Sequence, residues 1–260
     1  MTDSTETPLI HLLIDGQEVT GRPGQTILEA ADGAGIYIPR LCWLEKLTPF
    51  GACRVCVVRA NGRIHSACTL PIVPGMVVEN DTEELRGYRR NLIDMLFAEG
   101  NHFCMFCEKS GSCELQALAY RFGITAPKYP GLFRNREIDA SHPDILIDRN
   151  RCVLCARCVR ASKDADGKGA FGFAGRSIEK RLVVSAAGGL AGTTVSSTDA
   201  AIAACPTGTL IRKRTGYAVP VGERRFDHIP IGAEIEHQTD VDGATNAEDV
   251  GTAPSVTRKS

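Results

Sequence analysis

The 260 residues carry 30 Lys and Arg against 31 Asp and Glu, a formal net charge of −1, and 43% of them are hydrophobic. That balance argues against a polyanion partner such as nucleic acid, which calls for a basic excess. The apolar runs, such as Ile10 to Ile14, fall far short of the roughly 20 residues that span a bilayer. The opening MTDSTETPLI has neither a basic nor an apolar region of the secretory kind, which points to the cytoplasm.

Taken in chain order, Ile10 to Ile14 reads as a strand, Asp15–Gly16 as a hairpin turn, and Glu18 to Thr20 as the return strand. Thr26 and Glu29 have the spacing of a capping box at the start of a helix from Ile27 to about Gly33 or Gly35. A long loop holding Cys42 leads to a strand over Val55 to Arg59. The turn Asn61–Gly62 folds it onto Ile64 to Ala67, and Met76 to Glu79 closes the unit. Strand, strand, helix and further strands is the order of a β-grasp ferredoxin.

From about residue 81 to 135 the pattern is helical. Leu85, Tyr88, Leu92 and Leu96 form one predicted apolar stripe, and Leu115, Leu118, Ala119 and Phe122 another. Arg22, Arg86, Arg89 and Arg90 suggest a solvated basic face, with steering of an acidic partner as the alternative. Short strand and helix signals follow to about 215. The polar, acidic stretch from about 233 has the composition of a disordered tail. The expected organisation is α+β: 1–80, 81–135 and 136–220 as three units, with a flexible extension over 221–260.

Eleven cysteines stand out in a chain expected to face a reducing compartment, where disulfides are rare. They fall into three groups: Cys42, Cys53, Cys56 and Cys68; Cys104, Cys107 and Cys113, with His102 two residues upstream; and Cys152, Cys155, Cys158 and the remote Cys205–Pro206. Eleven thiolates and one imidazole make three sets of four, the number that each iron–sulfur cluster takes from protein. Cysteines at i, i+3 and i+6 with a distant Cys-Pro are the spacing of a 4Fe–4S cubane. A zinc ribbon prefers two separated C-x2-C knuckles, and zinc is the rival of a different class. The first group suits a 2Fe–2S loop, although ten residues follow its first cysteine where plant-type ferredoxins have four. Gly51 and Ala52 would let the backbone close around it, and Cys68 is the member most easily read as a merely buried thiol. Solvent, Glu99 or Asp94 compete with His102 as the twelfth ligand. His11, His65, His142, His228 and His237 have no such neighbours and read as surface or loop residues. No nucleotide or hydrolase motif is present.

The stretches LCWLEKLTPFGACRVCVV, LLIDMLFAEGNHFCMFCEKSGSCELQ, RCVLCARCVR and ACPTGTL resemble the small iron–sulfur diaphorase subunit of cytoplasmic NAD-reducing nickel–iron hydrogenases. They are similar also to the N-terminal part of the large iron–sulfur subunit of complex I and to the front of iron-only hydrogenases. The likeness runs over about residues 8–225. Relatives usually place three residues between the histidine and the next cysteine, where this chain has only Phe103. The resemblance implies a β-grasp 2Fe–2S domain, a small helical His/Cys 4Fe–4S domain and a 4Fe–4S ferredoxin-like domain. It implies partners too: a diaphorase subunit carrying FMN and binding NAD, and the hydrogenase small and large subunits. The first cluster would lie toward the flavoprotein or serve as a side site, and the Cys152 group toward the hydrogenase. The same relay could serve an NAD-dependent formate dehydrogenase or a complex I-like NADH dehydrogenase.

Overall fold

The computed structural model describes residues 8–132 and 134–236. Strands β1 (Ile10–Ile14) and β2 (Gln17–Gly21) form a hairpin in the register Ile10↔Gly21 to Ile14↔Gln17. Its turn residues Asp15 and Gly16 both have positive φ, 50° and 82°, as a two-residue hairpin loop of this hand requires. Asn61 and Gly62, at 46° and 78°, repeat the device between β3 (Val57–Ala60) and β4 (Arg63–Ser66). With β5 (Val77–Glu79) these strands make one sheet of order β2-β1-β5-β3-β4. Only β1 and β5 run parallel, and helix α1 (Ile27–Gly33) supplies much of the intervening crossover. Thr26 Oγ1 accepts the Glu29 amide while Glu29 accepts the Thr26 amide at 2.8 Å, so the expected capping box is formed. Strand β3 begins two residues later than the sequence suggests, because the chain is still turning at Arg54, whose φ is 60°.

Helix α2 (Glu83–Ala98) packs against β3 and against α3 (Glu114–Arg121). Its buried row differs from the expected stripe. Leu85, Arg89 and Ile93 face inward, whereas Tyr88 is 41% exposed and hydrogen-bonds Glu84. Arg89 is thus no part of a solvated face. Its guanidinium donates to the Asn80 carbonyl at 2.9 Å, the Val57 carbonyl at 2.7 Å and Asn80 Oδ1 at 2.7 Å. Those acceptors replace water, which is how a cation occupies a position a periodicity argument reserves for apolar residues. Arg86 and Arg90 do lie outside, paired with Asp81 and Glu83.

The last region has a sheet of β6 (Ile138–Asp139), β7 (Ile145–Asp148) and β10 (Leu210–Arg212), and a hairpin of β8 (Phe171–Ala174) and β9 (Arg181–Val184). Helices α4 (Arg157–Asp164) and α5 (Ala200–Ala203) pack together beside them. The stretch beyond 221, expected as a flexible extension, is packed as far as Glu236. Ile231 and Ala233 are buried, and Arg121 pairs with Glu236 and donates to the Ile231 carbonyl. The remaining tail, with His237, lies outside the described residues. No helix among the described residues is long and apolar enough to cross a membrane.

One apolar cluster joins the three regions. Cys42 and Cys53 from the first motif, Cys113 from the second and Cys155 from the third pack in it with Leu41, Ile93, Leu118 and Ile231. The cysteine loops therefore converge on a shared interior and do not occupy separate surfaces.

Candidate iron–sulfur sites

The first quartet is folded into the side of the five-stranded sheet. Cys42, Cys53, Cys56 and Cys68 are all buried, Cys68 completely. The Cys42 amide donates to Cys53 Sγ at 3.3 Å. Hydrogen bonds from Cys53 and Cys68 hold the Cys42 thiol far down, and the contact with Cys42 pushes both donors up, Cys53 with the help of burial. Gly51 adopts φ 69°, a left-handed turn that suits glycine, and starts the loop that wraps Cys53.

The second quartet lines a small cavity. His102, Cys104, Cys107 and Cys113 surround it, with Phe97, Leu115, Gln116, Arg151 and Gly208 completing the wall. Cys104 and Cys107 flank a short 3-10 turn and are half-buried, while Cys113 caps the start of α3 and is buried. Burial pushes the Cys113 thiol up to about 12. His102 Nε2 is sealed from solvent and has no hydrogen-bond partner. Burial, aided by the Arg151 charge, pulls its pKa down to about 4, so at neutral pH the ring is uncharged and offers a nitrogen lone pair. A methyl group at Gly208 would stand 2.7 Å from Cys107 Sγ, so the absence of a side chain there leaves room for the sulfur. Asp94 and Glu99 do not line this cavity; Asp94 instead accepts the Lys128 amide.

Cys152, Cys155, Cys158 and Cys205 also come together despite the 47 positions between the last two. Each of the first three thiols is raised chiefly by burial and then by its cysteine neighbours, Cys205 among them; Cys152 reaches about 11 and Cys155 about 12. Leu154 and Ala156 sit at positive φ, 52° and 60°, alternating with the cysteines. Such alternation turns successive amides toward one concavity and suits an anionic occupant. The strain of two non-glycine left-handed residues is the kind that recurs at functional sites. Pro206 accepts the Glu114 amide at 2.9 Å through its carbonyl, which ties the Cys205 loop to the residue after Cys113.

Across the described residues no group of three or more His, Cys, Asp or Glu side chains closes tightly enough to hold one bare metal ion. Sequence reasoning did not single out Arg151, Arg157, Arg160 or Gly208. The arginines were nevertheless visible as the basic residues inside and around RCVLCARCVR. None of His11, His65, His142 and His228 lines the second cavity; His142 binds the Val195 carbonyl.

Family models match the chain along most of its length: a 2Fe-2S iron–sulfur cluster binding domain over residues 7–83, an NADH-ubiquinone oxidoreductase-G iron–sulfur binding region over 89–128, and the ferredoxin-like domain of NADH-quinone oxidoreductase subunit 3 over 142–211. The gamma subunit of the NAD-reducing hydrogenase HoxS of Cupriavidus necator is 39% identical over 221 residues, 84% of this chain and 93% of that protein. The chain belongs to that family of hydrogenase iron–sulfur subunits. A crystal structure of an NAD+-reducing [NiFe]-hydrogenase in the H2-reduced state contains a chain 51% identical to it. The two agree with a TM-score of 0.84 over 86% of this chain and 96% of the other. The subunit HndD of an NADP-reducing hydrogenase from Solidesulfovibrio fructosivorans is 32% identical, but only 44% of it is covered. The protein is thus an iron–sulfur electron-transfer subunit of an NAD-reducing hydrogenase, with 2Fe–2S and 4Fe–4S domains.

Proposed function

We propose that the chain holds one 2Fe–2S cluster through Cys42, Cys53, Cys56 and Cys68, and two 4Fe–4S clusters. His102, Cys104, Cys107 and Cys113 would bind one of these, and Cys152, Cys155, Cys158 and Cys205 the other. It would pass electrons singly between a partner subunit that carries FMN and binds NAD and the small and large subunits of the hydrogenase, in the cytoplasm. When bound, the clusters supply one-electron carriers whose potentials respond to charge, hydrogen bonding and burial. The chain's own residues do the rest. The sheet beside α1, with its parallel β1–β5 pair, would be a β-grasp unit over about 1–80. Units over about 81–135 and 136–220 would follow, held together by the shared apolar cluster.

The observation that carries this reading is His102 Nε2, a buried nitrogen without a partner on the wall of a cavity that three thiols also line. A buried polar atom left without a hydrogen bond costs about 1–3 kcal/mol, and iron ligation would offset that cost. Burial around Cys113, Cys155 and Cys158 excludes water from the sites, while half-exposed Cys104, Cys107 and Cys152 bring two of them near the surface, where electrons can enter or leave. The cluster-binding family model over residues 7–83 favours clusters over zinc, and the hydrogenase subunits matched over most of both chains favour a hydrogenase over a formate dehydrogenase. Cys155→Ser should abolish hydrogen-driven NAD reduction by the complex and leave dye reduction at the hydrogenase subunits intact. Unchanged NAD-linked turnover would count against a relay through that site.

A further inference from the structure

The arginines flanking the last cysteine motif each reach into another motif. Arg151 Nη1 lies 3.6 Å from Cys107 Sγ and 3.1 Å from Glu108. Arg160 donates to the Cys42 carbonyl at 2.6 Å and the Cys155 carbonyl at 3.3 Å. Arg157 is the most enclosed, its side chain only 3% exposed. It grips Glu114 through both terminal nitrogens, at 2.8 Å and 2.7 Å, and Glu114 directly follows Cys113. Cys155, Cys53 and the Arg160 guanidinium also interact with it electrostatically. One cation therefore sits within electrostatic reach of a cysteine from the first and the third motif and is paired with the residue that follows the last cysteine of the second. Its Nε is buried and has no partner, so one donor of the guanidinium is left over after the ion pair is made.

A buried ion pair is weak evidence of a stabilising role, because desolvation can cancel the attraction. A fixed charge among electron carriers has a second effect. Adding an electron to a cluster is easier beside a cation and harder beside an anion, and the low-dielectric surroundings strengthen both influences. We propose that Arg157, counterbalanced by Glu114, is a positioning residue that fixes the charge environment common to the three cluster sites and so sets how readily each accepts an electron. This rests on the cluster reading given above.

The test is an EPR-monitored redox titration of the purified hydrogenase complex, with signals assigned by their loss in Cys113→Ser and Cys155→Ser. Arg157→Gln should lower the reduced-to-oxidised ratio of those signals about tenfold at a fixed ambient potential, a shift of ~59 mV for a one-electron couple. Glu114→Gln should raise it, the double variant should return toward the wild-type value, and Arg157→Lys should stay close to it. A merely structural pair would move both single variants in the same direction or neither. Either of those patterns overturns the proposal while leaving the clusters in place. Should Arg157→Gln fail to assemble, Glu114→Gln alone decides, an upward shift supporting the assignment and no shift or a downward one refuting it. Absence of cluster signals from the wild-type complex would instead refute the underlying reading.

Discussion

The first and second groups of proposed cluster ligands are constructed differently. Cys42, Cys53, Cys56 and Cys68 are all buried against a five-stranded sheet and hydrogen-bond among themselves. His102, Cys104 and Cys107 sit on loops, two of the thiols are half-exposed, and the imidazole nitrogen has no partner. Phe103, Met105 and Phe106 beside them are 58%, 78% and 66% exposed. A site built into a sheet holds its shape through the core, whereas one built from loops depends on its occupant. The second site should therefore be the more easily emptied, and the first the more sensitive to changes in the fold around it.

The largest expected effect breaks the second site alone. His102→Ala should remove about four iron atoms per chain and leave the 2Fe–2S signal unchanged, whereas His102→Cys should retain the iron at a lower potential. Iron content and EPR check both, and an unaltered iron count in His102→Ala would make the histidine a bystander. Next comes Arg89→Met, which strands three carbonyl-type acceptors around Asn80 and Val57. It should cost about 3 kcal/mol or more. Loss of the 2Fe–2S visible absorbance on heating should move down by several degrees. An equal midpoint would show that the buried guanidinium does not tie α2 to the sheet. The smallest is Thr26→Ala, which removes one half of the capping box on α1. It should cost about 1 kcal/mol by the same melting assay, with the second site unaffected.

Much of the first region was legible because its local signals agree. Asp15–Gly16 and Asn61–Gly62 can hardly avoid tight turns, Thr26 and Glu29 start the helix, and alternation marks the strands. The grouping of the cysteines was legible from their spacing, and the fold brings the members of each group near one another. What the sequence did not disclose are long-range charge contacts. Tyr88 looked apolar and is exposed, Arg89 looked solvated and is buried, because carbonyls from β3 and Asn80 are waiting for it. Arg157 meets Glu114 across 43 positions for a similar reason. Periodicity describes one element at a time, and these pairings exist only once separate elements have packed. The stretch from about 233 likewise reads as a polar tail by composition, yet Ala233 is buried and Ile235 packs on the apolar cluster beside Ile231.

The central claim is that the three quartets hold inorganic clusters. Anaerobic native mass spectrometry of this subunit, released from the purified complex, tests it most directly. The account predicts added mass for one 2Fe–2S and two 4Fe–4S clusters, about ten iron and ten sulfide in all. Zinc adducts, or a polypeptide mass reduced only by paired thiols, would contradict it.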